Sequence, residues 1–337
     1  MSRGADPNDA KRKAREVISV GELVDLYFAE GCGTKKPSTI KVERGLAVRH
    51  VKPLLGRRSV KSLTRADLET FLADIASGKT ATDVKTKARG RAIVTGGQGT
   101  ANRTVDLVAS MLSFAVARGF RDDNPARGLR KFKLKVRERF LSPRELTNLG
   151  AAMKEATAKG ENPYAIDAIR LLILTGCRKS EILTLQWQWV DEDHRVLRLP
   201  DSKTGSKVVP LGSSALELLK TLPRLKDNKY VFPSSTGSGH LVGIQKIWNR
   251  VRINADLADV RLHDLRHSFA SVGASSGDSL YVIGRLLGHT QQRTTQRYAH
   301  LADDPVREAA ERISGQIADA LIGNEVSINP AGTPASQ

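Results

Sequence analysis

The sequence predicts a two-domain, mainly α-helical chain with a small antiparallel β-sheet. Three observations carry that expectation. The 337 residues suffice for two ordinary domains, and 40% of them are hydrophobic, enough for sizeable cores. Apolar residues recur at helical spacing through most stretches, with glycines or prolines between them. One stretch, "HRVLRLPDSKTGSKVVPLG", alternates apolar and polar residues about a turn and reads as a β-hairpin.

The elements follow in order. Residues 1–16 are polar and are expected to form a flexible extension. Residues 17–135 carry four helical stretches. "SVGELVDLYFAEG" puts Val20, Leu23, Leu26 and Tyr27 on one face and stops at a glycine. "STIKVERGLAVRHVKPLLG" opens with Ser38 as the expected N-cap. "TRADLETFLADIASG" has Thr64 as its cap and ends at Gly78. "TANRTVDLVASMLSFAVARGF" ends near Gly119. With little strand signal, these four read as a small helical bundle.

Two basic stretches interrupt or follow that bundle. "KTATDVKTKARGRAIVTGGQGT" holds Lys79, Lys85, Lys87, Arg89 and Arg91 around one acid, Asp83. It reads either as a solvated loop or as a phosphate-contacting segment. In "DDNPARGLRKFKLKVRERF", Pro125 and Gly128 break the helix. Arg127, Arg130, Lys131, Lys133, Lys135, Arg137 and Arg139 then crowd together. That stretch reads as an interdomain linker, basic for solubility or as a strap facing a polyanion.

The second domain spans residues 136–322, ahead of a tail, 323–337, expected to be disordered. Ser142, Pro143 and Glu145 form a capping signature. "YAIDAIRLLILTGCRKSEILTL" is an apolar helix, a break at Gly176, and a new helix. Helices follow the hairpin to about Ile322, and no repeats are present.

Lys+Arg is 54 against 36 Asp+Glu, a net charge of +18. That balance favours a polyanionic partner, most often nucleic acid. Cys32 and Cys177 offer neither a disulfide framework nor zinc-type spacing, which fits a reducing compartment. No apolar run approaches the roughly 20 residues of a bilayer span, and the polar N-terminus is not a secretory signal. The expectation is a bacterial cytoplasmic, nucleoid-associated protein with no membrane contact.

Four polar clusters mark the second domain: Arg178 with Glu181; Lys203 in the hairpin turn; "HDLRH" from His263 to His267; and His289 with Tyr298. Arginines clamp phosphate oxygens in bidentate fashion. Lysine is a mobile donor, and histidine moves protons near neutral pH. Tyrosine can form a covalent intermediate once its pKa, near 10, is lowered or a base assists. Each residue alone has an ordinary structural explanation. Together they suit attack on a phosphodiester, with side chains neutralising the developing charge.

These clusters, as "TGCRKSEIL", "DSKTGSKVVPL", "HDLRHSFAS" and "LLGHTQQRTTQRYAHL", resemble the signature of the tyrosine recombinases of the phage-integrase type. The order and spacing fit, with His289 nine positions before Tyr298. The resemblance covers residues from about Leu141 to Leu301. The helical part resembles the family's core-binding domain more loosely. It implies a helical core-binding, DNA-binding domain followed by an α+β catalytic domain. Arg178 and Arg266 would clamp the scissile phosphate. Lys203 would protonate the departing 5′-hydroxyl. His263 would assist proton transfer as the base for the nucleophile, and His289 would hydrogen-bond the phosphate. Tyr298 would attack, leaving a 3′-phosphotyrosine. Glu181 and Asp264 would orient the cluster. The covalent link keeps the phosphodiester's energy, so no metal, ATP or other cofactor is expected.

The implied partner is double-stranded DNA, contacted by Lys85, Lys87, Arg89, Arg91, Arg130, Lys131, Lys133 and Lys135. The implied assembly is a monomer or weak dimer in solution and a homotetramer on paired DNA sites. Accessory DNA-bending or directionality proteins are candidate partners. A C-terminal helix with Val306, Ala309, Ile313, Ile317 and Leu321 on one side would dock on a neighbouring protomer. With about 16 residues before the first helix, the chain is expected to lack the arm-binding domain of longer integrases, by truncation or by natural design. Other function classes are a type IB topoisomerase-like DNA relaxation activity and a non-catalytic DNA-binding protein. Two further motifs are set aside. "HDLRH" spaces two histidines like a zinc helix, but Asp264 stands where a metalloprotease has Glu. "SGKT" at 77–80 lacks the earlier glycine and the preceding strand of a P-loop.

Overall fold

The computed structural model describes residues 18–87, 90–135, 138–202, 205–235, 237–302, 310–311, 313–314 and 317. The extension 1–16, Arg89, Arg137, Lys203, most of the expected C-terminal helix and the tail 323–337 lie outside the described residues. The chain divides into two compact units, residues 1–136 and 137–337.

The first unit contains α1 (Val20–Glu30), α2 (Pro37–Leu46), α3 (Lys52–Leu55), α4 (Arg65–Ala76), β1 (Thr82–Lys87), β2 (Gly90–Val94) and α5 (Gln98–Ala117). Its core gathers Leu23, Tyr27, Val51, Leu68, Phe71, Ile75, Val108 and Met111. Reciprocal capping boxes start α1, between Ser19 and Glu22, and α4, between Thr64 and Asp67. Each satisfies two backbone donors that a helix start leaves open.

Two expectations are corrected here. The cap of α2 is Lys36, with Pro37 in the first turn and Ser38 already helical. Proline's fixed φ starts the helix where a serine side chain was expected to. The stretch around 79–91, expected as a loop in a purely helical unit, is an antiparallel hairpin pairing Asp83 with Ile93 and Lys85 with Arg91. Backbone pairing needs no apolar alternation, and the density of charge hid the strands. Asp83 and Arg91 form an exposed ion pair at 2.5 Å on one face of it, where solvent screens the attraction.

The second unit contains α6 (Pro143–Ala158), α7 (Pro163–Thr175), α8 (Lys179–Leu183), β3 (Val190–Asp191), β4 (Val196–Ser202), β5 (Gly205–Pro210), α9 (Ser213–Thr221), α10 (Ile244–Asn254), α11 (Asp264–Ser275) and α12 (Leu280–Leu287). Two short 3₁₀ turns, Gln292–Thr294 and Gln296–Ala302, follow. The expected hairpin gains a third, two-residue strand, giving the antiparallel order β3-β4-β5. Ile166, Ile169, Leu172, Leu197, Val209, Phe232, Trp248 and Leu265 fill the core. The Ser142–Glu145 capping box forms as expected. No described helix is long and apolar enough to cross a membrane.

Of the basic residues outside the site, Lys85, Arg91, Arg130, Lys131, Lys133 and Lys135 are exposed, while the Lys87 side chain lies outside the described residues. Lys131 pairs with Asp106 at 2.8 Å. Arg139 is committed within the second unit, to Glu145 at 2.5 Å and Asp259 at 2.8 Å.

Candidate active site

The site begins where α7 ends. Gly176 adopts φ +61°, and a Cβ there would meet Phe269 Cδ1 at 2.6 Å. Only glycine allows both that backbone and that approach. The turn delivers Arg178, whose backbone N–H and Nη1 both donate to Glu181, at 2.9 and 2.8 Å. Glu181 is buried. Burial works against its charge, but the Arg178 backbone N–H, Lys207 and the Arg178 guanidinium outweigh it and hold the carboxyl below its usual range.

Helix α11 supplies Arg266, 5% exposed. Its Nη1 donates to the Gly176 carbonyl at 2.6 Å and its Nη2 to the Leu287 carbonyl at 2.7 Å. Two backbone acceptors thus fix the plane of the guanidinium. Burial and the Arg178 charge push its pKa down. Strand β5 contributes Lys207, buried, with Nζ 3.1 Å from the Leu287 oxygen and 3.5 Å from Glu181 Oε2.

His289 follows the left-handed Gly288. Its Nδ1 lies 2.9 Å from Thr295 Oγ1. When that hydroxyl donates to Nδ1, the ring proton sits on Nε2, the tautomer a phosphate oxygen needs. Burial, then the charges of Arg266, Arg178, Arg297 and Lys207, push the imidazole down to about 4. Four cations around one neutral histidine make a site for an anion.

Tyr298 sits in the second 3₁₀ turn, 4% exposed, with Ala270, Ala274, Ile283 and Leu287 in its apolar cluster. Burial pushes its hydroxyl up, against the opposing charges of Arg297 and Arg266. The histidine at that hydroxyl is His267, with Nδ1 2.6 Å from Oη. His263, expected as the tyrosine's base, is exposed and stacks edge-on against His267, with ring centroids 5.1 Å apart. Asp264 is fully buried and accepts from the Arg261 backbone N–H and guanidinium at 2.8 and 2.7 Å.

The fold therefore brings Arg178, Glu181, Arg266, His289 and Tyr298 into one unit beside His263 and Asp264, while Lys203 lies outside the described residues. Sequence reasoning missed three members. His267 was weighed only as a metal ligand. Thr295 offered no signal beyond its closeness to Tyr298. Lys207 was legible, because period-2 alternation puts it on the inward side of β5 with Val209.

The profile of the phage integrase family matches residues 139–304. The tyrosine recombinase XerD of Brucella suis biovar 1 (strain 1330) is 30% identical over 223 residues, which is 60% of this chain and 72% of that protein. A lambda integrase dimer bound to a COC′ core site shares the fold, with TM-score 0.65 and 17% identity over 90% of this chain and 82% of that one. A lambda integrase tetramer bound to a Holliday junction aligns with TM-score 0.63 and 16% identity over 87% and 83%. Kinship at that identity and coverage, with the family profile lying across the site, places this chain in the phage integrase family, the tyrosine recombinases.

Proposed function

We propose that this chain is a site-specific DNA recombinase of the integrase type, cutting and rejoining duplex DNA through a 3′-phosphotyrosine. The carrying observation is a buried tyrosine whose hydroxyl meets a histidine, in the same unit as the backbone-anchored Arg266, the Glu181-paired Arg178 and a cation-ringed His289. Arg178 and Arg266 hold the non-bridging oxygens, and His289 donates a further hydrogen bond. Tyr298 Oη attacks phosphorus. The P–O5′ bond breaks, and the 5′ oxygen takes a proton from Lys203. Rejoining reverses these steps. The bond energy stays in the phosphotyrosine, so the exchange is close to isoenergetic and draws on no ATP. Glu181 aligns Arg178, and Asp264 aligns the start of α11 through Arg261.

The test is Tyr298→Phe. Covalent adduct formation is expected to fall by orders of magnitude with DNA binding nearly unchanged, since one oxygen is lost and the ring remains. An adduct on the Phe variant would refute this assignment. Recombination between two sites, scored against plasmid relaxation, separates a recombinase from a relaxing enzyme.

The DNA contacts outside the site are assigned to Lys85, Lys87, Arg89, Arg91, Arg130, Lys131, Lys133 and Lys135. Neutralising Lys131, Lys133 and Lys135 should weaken binding to all sequences and flatten its salt dependence. For assembly we favour a tetramer on paired sites, with a monomer or weak dimer free in solution. An apolar groove of 440 Å³, lined by Leu146, Ile173, Leu174, Phe269, Val272 and Leu286 among others, supports it. So do Ile313 and Ile317, 52% and 55% exposed on the C-terminal stripe. Deleting Pro305 to Gln337 should spare single-site binding and stop synapsis. Full recombination by the truncated protein would return that stripe to a packing role.

A further inference from the structure

Tyr298 Oη and His267 Nδ1 are 2.6 Å apart, and the fold sets both partners. The tyrosine ring is buried in its apolar cluster, and the half-buried imidazole is carried by α11, between Arg266 and the buried Ser268. The groups around His267 come from every side. His263, Asp264 and Arg261 stand at the start of α11, and Arg297 adjoins Tyr298. Glu138, Arg139, Phe140 and His300 complete the small cavity that His267 and Tyr298 line. Burial first, then His263 and Arg297, push the imidazole down to about 4. At neutral pH it is therefore uncharged, and Nδ1 can accept from the phenol.

We infer that His267 receives the Tyr298 proton during strand cleavage, with His263 stacked behind it rather than at the nucleophile. The inference rests on the recombinase reading above. The Nδ1 lone pair takes the hydroxyl proton and becomes imidazolium. The phenolic oxygen forms its bond to phosphorus as P–O5′ breaks, and the 5′ oxygen leaves with a proton from Lys203. In rejoining, the imidazolium returns the proton to the departing phenolate. Asp264 favours the imidazolium, and the charge of the bound phosphodiester adds to it, raising the imidazole from about 4 toward the range proton transfer needs.

A hydrogen bond can also merely aim the tyrosine, so the test must separate aiming from proton transfer. His267→Asn places an amide oxygen near the position of Nδ1. It accepts the same hydrogen bond but takes no proton at neutral pH. The measurement is single-turnover adduct formation on a nicked DNA substrate from pH 6 to 10, with DNA binding as a parallel readout. The expected result is binding within about threefold of the parent and cleavage slowed about 10²–10³-fold. The variant's rate should keep climbing at high pH, where hydroxide deprotonates the phenol, while the parent's rate levels off. Sulfur in place of the 5′-bridging oxygen leaves as a thiolate and needs no proton. It should rescue Lys203→Ala and leave the Asn defect in place.

Cleavage by His267→Asn within threefold of the parent would overturn the inference, as would rescue of that variant by sulfur. If both His267→Asn and His267→Ala lose DNA binding along with cleavage, His267 belongs to the fold and the inference also fails. An adduct on Tyr298→Phe would instead refute the recombinase reading itself, so the two failures are distinguishable.

Discussion

Lys207 Nζ and Arg266 Nη2 donate to one acceptor, the Leu287 carbonyl oxygen, at 3.1 and 2.7 Å. Two cations from different elements thus meet the end of α12 just before His289. A Cβ at Gly288 would touch Lys207 Cε at 2.8 Å, so the lysine stem also props that turn. Lys207→Ala should slow single-turnover cleavage on the order of 10–100-fold with little change in DNA affinity, because small misplacements of His289 are costly. Lys207→Met keeps the stem and should unfold within about 1 kcal/mol of the parent, since Glu181 keeps Arg178 as its closer partner. A full cleavage rate in the Ala variant would dispose of the prop.

Gly176→Ala tests the turn behind Arg178. The new Cβ would lie 2.6 Å from Phe269 and 2.9 Å from Leu287 at φ +61°. Strain and overpacking should cost about 2–4 kcal/mol. The melting temperature should drop by roughly 5–10 °C. Its carbonyl holds Arg266, so cleavage should fall further than the folded fraction does. A melt superimposable on the parent's would show that the turn tolerates the methyl group.

Much of this architecture was legible because its signals are local. The Ser142–Glu145 capping box, the break at Gly176 and the 196–210 hairpin each follow from neighbouring residues. The 82–94 hairpin was not legible, because none of its described side chains is fully buried and charge masks the alternation. At the site, the four motifs named the chemistry but not the pairing. His263 and His267 lie one helical turn apart, and only the path of the chain after α12 decides which of them meets Tyr298.

Acid should unfold the catalytic unit early. His267 and His289 are both pushed to about 4 in the fold, against about 6.5 in an unfolded chain. Between those values the unfolded chain binds more protons, so stability rises with pH across the window and is lost as pH falls through it. Urea unfolding at pH 7 and pH 5 should differ by roughly 1–3 kcal/mol for the pair. His267→Asn with His289→Gln should flatten that slope. An unchanged slope in the double variant would assign the acid sensitivity to other groups.

DNA should move His289 in the opposite direction. The charges of Arg266, Arg178, Arg297 and Lys207 help depress its imidazole in the free protein. A phosphodiester among them supplies the missing negative charge, so the pKa should rise by about one unit or more on binding. Carbon-13 NMR at the His289 Cε1 position, with and without a DNA duplex, reads this directly. An identical titration in both states would mean that the phosphate sits elsewhere.

The ring of cations at His289 also bears on how this enzyme can be improved. Glu181 offsets Arg178 and Lys207, but Arg266 and Arg297 add like charge that strains the empty protein and that the substrate relieves. Heat resistance and catalysis therefore pull in opposite directions at these positions. Selection for thermal endurance alone should enrich replacements of Arg297 by neutral residues, yielding tougher proteins that cut more slowly. Selection carried out with DNA present should keep that cation, and sequencing the two pools would show the divergence.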